Sequence, residues 1–194
     1  MRYVLFFVCF SLLPMPALSD ESSRNAGDKS LNFSFSDFAV DYYKYGIGGK
    51  YWVSDDIAIT GSISVQKGEQ DIESNSGGVS SQANTDAKSY GFSVGAENHF
   101  HSNTKLSPYV GGELYYSDRE ADTPAITNST MTEWGANVLL GAEYAFTDAV
   151  ALAAEYSFGY HDSESTSSNI SGTTTSTSKG FGLDSGKLIL LLYF

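Results

Sequence analysis

The chain has 194 residues, 11 of them basic and 23 acidic, and its formal net charge of −12 excludes nucleic acid as a partner, since binding phosphates takes a basic surface. One cysteine, Cys9, excludes a disulfide framework. No stretch reaches the roughly 20 apolar residues of a spanning helix, so a membrane could be crossed only by strands.

At the N-terminus, Arg2 precedes an apolar stretch from Tyr3 to Leu13 and small residues at Ala17 and Ser19. That order is the pattern of a secretory signal peptide, so residues 1–19 are expected to be cleaved off near Ser19 and Asp20. The stretch "FFVC" lacks the small residue expected just before a lipoprotein cysteine. Loss of Arg2 takes the formal charge from −12 to −13 and leaves a mature chain without cysteine. Residues 20–30 read as a short polar segment, and residues 31–194 as one domain.

From "SLNFSF" onward the spacing is that of strands. A second strand falls on "YYKYGIGGKYWV" and a third on "DIAITGSISVQ", where Ile57, Ile59, Ile63 and Val65 alternate with Ala58, Thr60, Ser62, Ser64 and Gln66. In "SYGFSVGAENHF" the apolar parity carries Tyr90, Phe92, Val94, Ala96 and Phe100. "SPYVGGELYYS" follows, then "EWGANVLLGAEYAF" with Trp134, Ala136, Val138, Leu140, Ala142, Tyr144 and Phe146 on one face. "AVALAAEYSFGY" repeats the pattern, and "GFGLDSGKLILLLYF" ends the chain. Connections alternate between short turns, around Asp55, Asn103 and Asp148, and long polar loops that start near Lys67, Ser117 and His161. Strands running up and down with short turns on one rim and long loops on the other predict an all-β fold, a single eight-stranded antiparallel up-and-down transmembrane β-barrel.

Aromatic placement tests that fold independently, because a barrel in lipid carries two aromatic girdles with aliphatic residues between them. At the long-loop ends lie Tyr43, Tyr45, Tyr90, Tyr116, Trp134, Phe158 and Tyr160, and at the short-turn ends Tyr51, Phe100, Tyr144, Phe146 and Phe194. Between them, on the same parity, sit Ile47, Ile63, Val94, Val138, Leu140, Leu152, Leu188 and Leu190. A soluble sandwich has no reason to sort its aromatics to both ends.

Leu188, Leu190, Leu192 and the last residue, Phe194, share one parity. A terminal Phe after alternating apolar residues resembles the recognition signal read by the outer-membrane barrel-assembly machinery. "SPYVGGELYYS" and "WGANVLLGAEYAFTDAVALAAEYSFGY" are similar to segments of small outer-membrane barrels of the OmpA-like, OmpX/Ail-like and opacity-type superfamily. The resemblance runs from about Leu31 to Phe194. It implies residence in the outer membrane of a Gram-negative bacterium, contact with outer-membrane lipid and lipopolysaccharide, and insertion by the assembly machinery through Phe194.

The opposite parity carries Lys50, Glu97, Glu113, Glu143, Glu155 and Lys187, so these charges are expected to point into the lumen. An eight-stranded barrel is just wide enough for side chains to fill, so the expected arrangement is a structural charge network, with an ion-conducting path as the alternative. Acids outnumber bases four to two in this set, so at least one Glu is expected to be water-solvated or protonated. Small inward residues, among them Gly46, Ser62, Ser64, Gly91, Ser93 and Ala151, leave room for water.

Catalytic and metal readings are weaker. His161 and Ser163 resemble the His-x-Ser pair of the outer-membrane lipid A deacylase, but no Asp or Glu follows between Ser165 and Gly182, and Glu164 alternates to the other face. His99 and His101 could offer two metal ligands near a turn, with Glu97 as the nearest acid; solvated rim histidines are the plainer expectation. No catalytic residue, metal or cofactor is therefore expected. The long loops are rich in Ser, Thr, Gly and Asn and carry few anchors for a protein partner, Arg119 being their one Arg. Their acids, Glu69, Asp71, Glu73, Asp118, Glu120, Asp122, Asp162 and Glu164, sit where lipopolysaccharide phosphates crowd, and a divalent cation could bridge the two. The expected role is structural or surface-interacting, through envelope integrity, adhesion or serum resistance and a possible host or surface ligand of the loops. The alternatives are a narrow channel for small solutes or ions and, more remotely, a lipid A-modifying enzyme.

Overall fold

The computed structural model describes residues 24–36, 44–76, 79–100, 105–123, 127–169, 172–183 and 186–194, with backbone alone for 69–76, 79–86, 122, 123, 127 and 169. The expected signal peptide, Tyr43 and His101 lie outside the described residues.

Nine strands are described: β1 (Lys29–Ser36), β2 (Lys44–Trp52), β3 (Ile57–Ser76), β4 (Val79–His99), β5 (Leu106–Thr123), β6 (Thr127–Ala145), β7 (Val150–Asn169), β8 (Gly172–Leu183) and β9 (Lys187–Tyr193). Each pairs antiparallel with its chain neighbour from β1 to β7, β7 pairs with β9, and β9 returns to β1, which closes a barrel of eight. β8 stands outside that ring and pairs only with the far half of β7, Phe158 to Asn169. Closure removes the free edges that lipid could not satisfy.

The polar connections read as loops in the sequence are largely strand. β3 to β7 run 18 to 21 residues, about twice the roughly 9–11 needed to cross a bilayer, so their ladders project beyond it. Cross-strand hydroxyl pairs support this in the β7–β8 hairpin, where Thr166 meets Thr175 at 3.3 Å and Ser168 meets Thr173 at 3.0 Å. Thr suits a pleated surface, and nothing in these Ser/Thr runs breaks a hairpin register once the barrel has set it.

The two faces follow the alternation. Ile63, Leu114 and Leu140 are about 60% exposed and lie between the girdles with Ile47, Val94 and Val138. A continuous apolar belt of this kind is untenable in water and is what hydrocarbon requires. The inner face divides in two. Toward the short turns it is packed with Trp52, Tyr109, Leu139, Leu191 and Tyr193, all buried, whereas toward the long hairpins it is lined with Ser and Gly. Bulky inner side chains lie across cross-strand glycines: Tyr109 is paired with Gly141 and Tyr115 with Gly135. A Cβ at either glycine would run into the facing ring, so Gly is what lets the ring lie flat on the wall.

One register change shapes the last strand. Phe158 opposes Leu183 and Glu155 opposes Lys187, so the pairing with β7 shifts by one residue between β8 and β9. Outward parity accordingly switches from Phe181 and Leu183 to Leu188, Leu192 and Phe194. Deleting Gly186 restores a single register with every outward residue still outward, so this variant should refold to a heat-modifiable band on SDS gels. Deleting Ser185 with Gly186 leaves one residue to oppose two, and the folded band should fall sharply.

Candidate functional site

Alternation along β2, β4, β5, β6, β7 and β9 brings Lys50, Glu97, Glu113, Glu143, Glu155 and Lys187 together in the lumen as two linked clusters. Lys50 is the hub of the first. Its Nζ lies 2.7 Å from Glu97 Oε2 and 3.0 Å from Glu143 Oε2, with all three side chains only 3% exposed. Lys187 centres the second, 2.7 Å from Glu155 Oε1 and 3.7 Å from Glu113 Oε2. Tyr109 joins them, since its hydroxyl donates to Glu155 Oε2 at 3.0 Å while its ring stacks beside His99 at 4.8 Å between centroids.

Each lysine bridges two carboxylates, so all four glutamates have a cation in contact despite the four-to-two excess. The structure also supplies basic groups beyond the two lysines. His99 Nε2 faces Glu97 Oε2 at 2.9 Å and its Nδ1 faces Ser107 Oγ at 2.9 Å. The carboxylate accepts, which puts a hydrogen on Nε2. His99 is 2% exposed and stacked on Trp52, which corrects its expectation as a solvated rim histidine: its parity points inward, where the ring fills the lumen.

Arg24 is the other addition. It lies in the polar segment ahead of β1, yet it is buried in the short-turn mouth. Its Nη1 donates to the Asp148 carbonyl at 2.8 Å, its Nε lies 3.6 Å from Glu143 Oε1, and its guanidinium sits 3.5 Å above the Tyr193 ring. Tyr193 in turn donates its hydroxyl to Glu143 Oε1 at 2.8 Å. The segment is held by backbone bonds as well, from Gly27 N to Trp52 O and from Trp52 N to Asp28 O. Sequence reasoning missed Arg24 because it carries no strand periodicity. The signal available was the charge excess of the lumen set, which called for a further cation near the barrel.

Above these clusters, in the long-hairpin half, lies a cavity of about 310 Å³ lined by residues that include Ser36, Lys44, Ser64, Ser117, Asn137 and His161. A second void of about 40 Å³ lies at the level of Lys50, Glu97 and Glu155, room for a water or two. Glu113 and Lys187 line both. Below them the lumen is filled by Trp52, His99, Tyr109, Leu191 and Tyr193.

His161 and Ser163 both lie on the inner face, away from lipid, and Ser163 Oγ donates to the Ser178 carbonyl at 3.4 Å. Glu164 is on the opposite, exposed side. No group of three potential metal ligands occurs among the described residues. On the outer surface of the hairpins Asp162 is paired with Lys179 at 2.7 Å, and Thr132 donates to Asp118 at 3.2 Å. The side chains of Glu69, Asp71, Glu73 and Asp122 lie outside the described residues.

A closed strand ring with an apolar belt outside and a charged, filled interior defines a class, the small outer-membrane β-barrels. The chain belongs to the outer membrane protein beta-barrel domain family, whose profile matches residues 5–183. That membership implies the outer membrane of a Gram-negative bacterium. No curated protein matches the chain. Among solved structures it is similar to the outer membrane protein OprG of Pseudomonas aeruginosa, with 13% identity, a TM-score of 0.58 and coverage of 90% of this chain and 97% of that one. It also matches the attachment invasion locus protein Ail of Yersinia pestis, with 11% identity, a TM-score of 0.48 and coverage of 86% and 97%. At these identities the likeness concerns the fold alone.

Removing the Lys50 ammonium strands two buried carboxylates against each other. Lys50→Met should therefore cost about 3–5 kcal/mol in urea unfolding of the detergent-solubilised barrel. Glu120→Gln, on an exposed hairpin position, should change stability by no more than about 0.5 kcal/mol.

Proposed function

We propose that this protein is a non-conducting, non-catalytic outer-membrane barrel that serves envelope integrity and surface contacts, adhesion or serum resistance among them, through its projecting hairpins. The observation that carries this reading is the short-turn half of the lumen, which among the described residues is filled by the buried side chains of Lys50, Glu97, Glu143 and Arg24 and the rings of Trp52, His99 and Tyr193. The wider cavity above favours a second reading, a narrow conduit for small solutes or ions, in which the floor opens. A lipid A-modifying role finds no support in a His161–Ser163 pair that faces the lumen.

The proposed setting is an exported chain, freed of residues 1–19 and surrounded by outer-membrane lipid and lipopolysaccharide. Phe194 is 84% exposed on the lipid side at the short-turn rim, with its backbone N–H tied to the Lys29 carbonyl, a placement that suits a handle for the assembly machinery. Deleting Phe194 should lower the folded protein in the outer membrane far more than it lowers synthesis; unchanged yield would reduce this residue to a girdle aromatic.

Planar-bilayer recordings test the closed lumen. The wild type should show no steady current, and Arg24→Ala combined with Lys50→Met should raise conductance by emptying the mouth. Large steady currents from the wild type would favour the conduit. A deletion strain with altered envelope permeability or surface binding would support the proposed role.

A further inference from the structure

The long-hairpin cavity has the properties of a binding site rather than of leftover space. Its volume of about 310 Å³ stands at the lower end of small-molecule pockets, roughly 300–1,000 Å³. Three of its charged groups are already engaged: Lys187 and Glu113 with each other, Lys187 also with Glu155, and Glu133, which accepts the Tyr115 hydroxyl at 3.0 Å. Ser62 and Ser93 bond each other at 2.9 Å. Three polar side chains of the lining remain without a protein partner among the described residues. Asn137 is only 8% exposed, its amide rests against Gly159, and it makes no side-chain hydrogen bond among the described residues. His161, seated over Gly180, and Lys44 at the rim are likewise without one. An amide that faces a cavity with no protein partner is free to bond a ligand or ordered water there.

The chemistry of the lining selects among ligands. Lys44 and Lys187 are matched by Glu113 and Glu133, two against two, so no net field would hold an ion. The remaining groups, serine hydroxyls, one carboxamide and one imidazole, each donate and accept hydrogen bonds. A neutral molecule with many hydroxyls satisfies such a surface at several points at once, whereas an apolar ligand would leave Asn137 and His161 unpaired.

We propose that this cavity binds a neutral saccharide unit, with Asn137 and His161 as its hydrogen-bonding centre and Lys44 at its entrance. The unit could be a free sugar or a sugar of the surrounding lipopolysaccharide. The site does not depend on whether the floor below it conducts.

The test uses the full mature chain refolded in lipopolysaccharide-free detergent micelles, with the Asn137 side-chain amide and the His161 ring followed by NMR. One arm titrates glucose and maltose, the other a lipid-free lipopolysaccharide core oligosaccharide, each to tens of millimolar, as weak polar sites require. Shifts of both groups in either arm are expected, and the arm that responds tells the free sugar from the lipid-borne one. The response should fall at least about tenfold in affinity, a 1.4 kcal/mol loss, in Asn137→Leu, and it should be lost from Asn137 in His161→Phe, with heat-modifiable folding checked for each. Should both variants fail to fold, Ser117→Leu narrows the cavity from its rim and should weaken binding instead. The proposal is overturned by silence in both arms, by equal shifts with glycine or inorganic phosphate, or by saccharide binding that survives these substitutions.

Discussion

The constraint on which the rest of this structure depends is the cost of an unpaired charge inside a closed, narrow barrel. Lys50 contacts Glu97 and Glu143 where water is almost excluded, so removing the lysine leaves two buried carboxylates without it. Much of the surrounding architecture serves to complete that set. Tyr193 and Arg24 approach Glu143, His99 approaches Glu97, and Tyr109 carries the network across to Glu155 and Lys187. The Tyr109 ring that carries this network needs a glycine opposite it, which is why Gly141 stands where it does.

This interior explains why the barrel has two halves. Where charges and rings meet, at the short-turn end, the lumen is solid and holds the strands in register. Toward the long hairpins, serines and glycines replace the rings and a cavity opens. Closure and access are thereby separated along one axis: what enters from the hairpin side meets Glu113 and Lys187 before it meets the filled floor. The hairpins themselves stand clear of the bilayer on ladders continuous with the barrel wall, so contacts at their tips would be presented by strands rather than by loose loops.

Much of this was legible in the sequence because lipid enforces a strict alternation. Ile63, Val94 and Leu140 face out and Glu97, Glu143 and Glu155 face in for the same reason, the cost of charge in hydrocarbon. What escaped was whatever departs from period two. The one-residue shift of register between Leu183 and Lys187 reverses parity within one apparent strand, so "GFGLDSGKLILLLYF" reads as a single element although Phe181 and Leu188 belong to different registers. Arg24 lies outside any strand, and only the lumen's missing positive charge pointed to it. His99 lies beside a turn, which suggests a rim residue, yet its parity points inward. The Ser/Thr connections read as loops because their hydrophobicity is low, yet the β propensity of Thr and the register handed on by the wall keep them as strand.

Cysteine accessibility tests the two-halved lumen most directly, since the one cysteine of the chain, Cys9, lies in the segment proposed to be removed on export. Single cysteines at Ser64 and Ser117 line the cavity, at Ala58 and Ala153 the filled floor, and at Val94 and Leu140 the lipid face. In proteoliposomes treated on both sides with a charged, membrane-impermeant thiol reagent, the first pair should react and the other four should not. Rapid labelling at Ala58 and Ala153 as well would mean a continuous aqueous path through the barrel and would contradict the account.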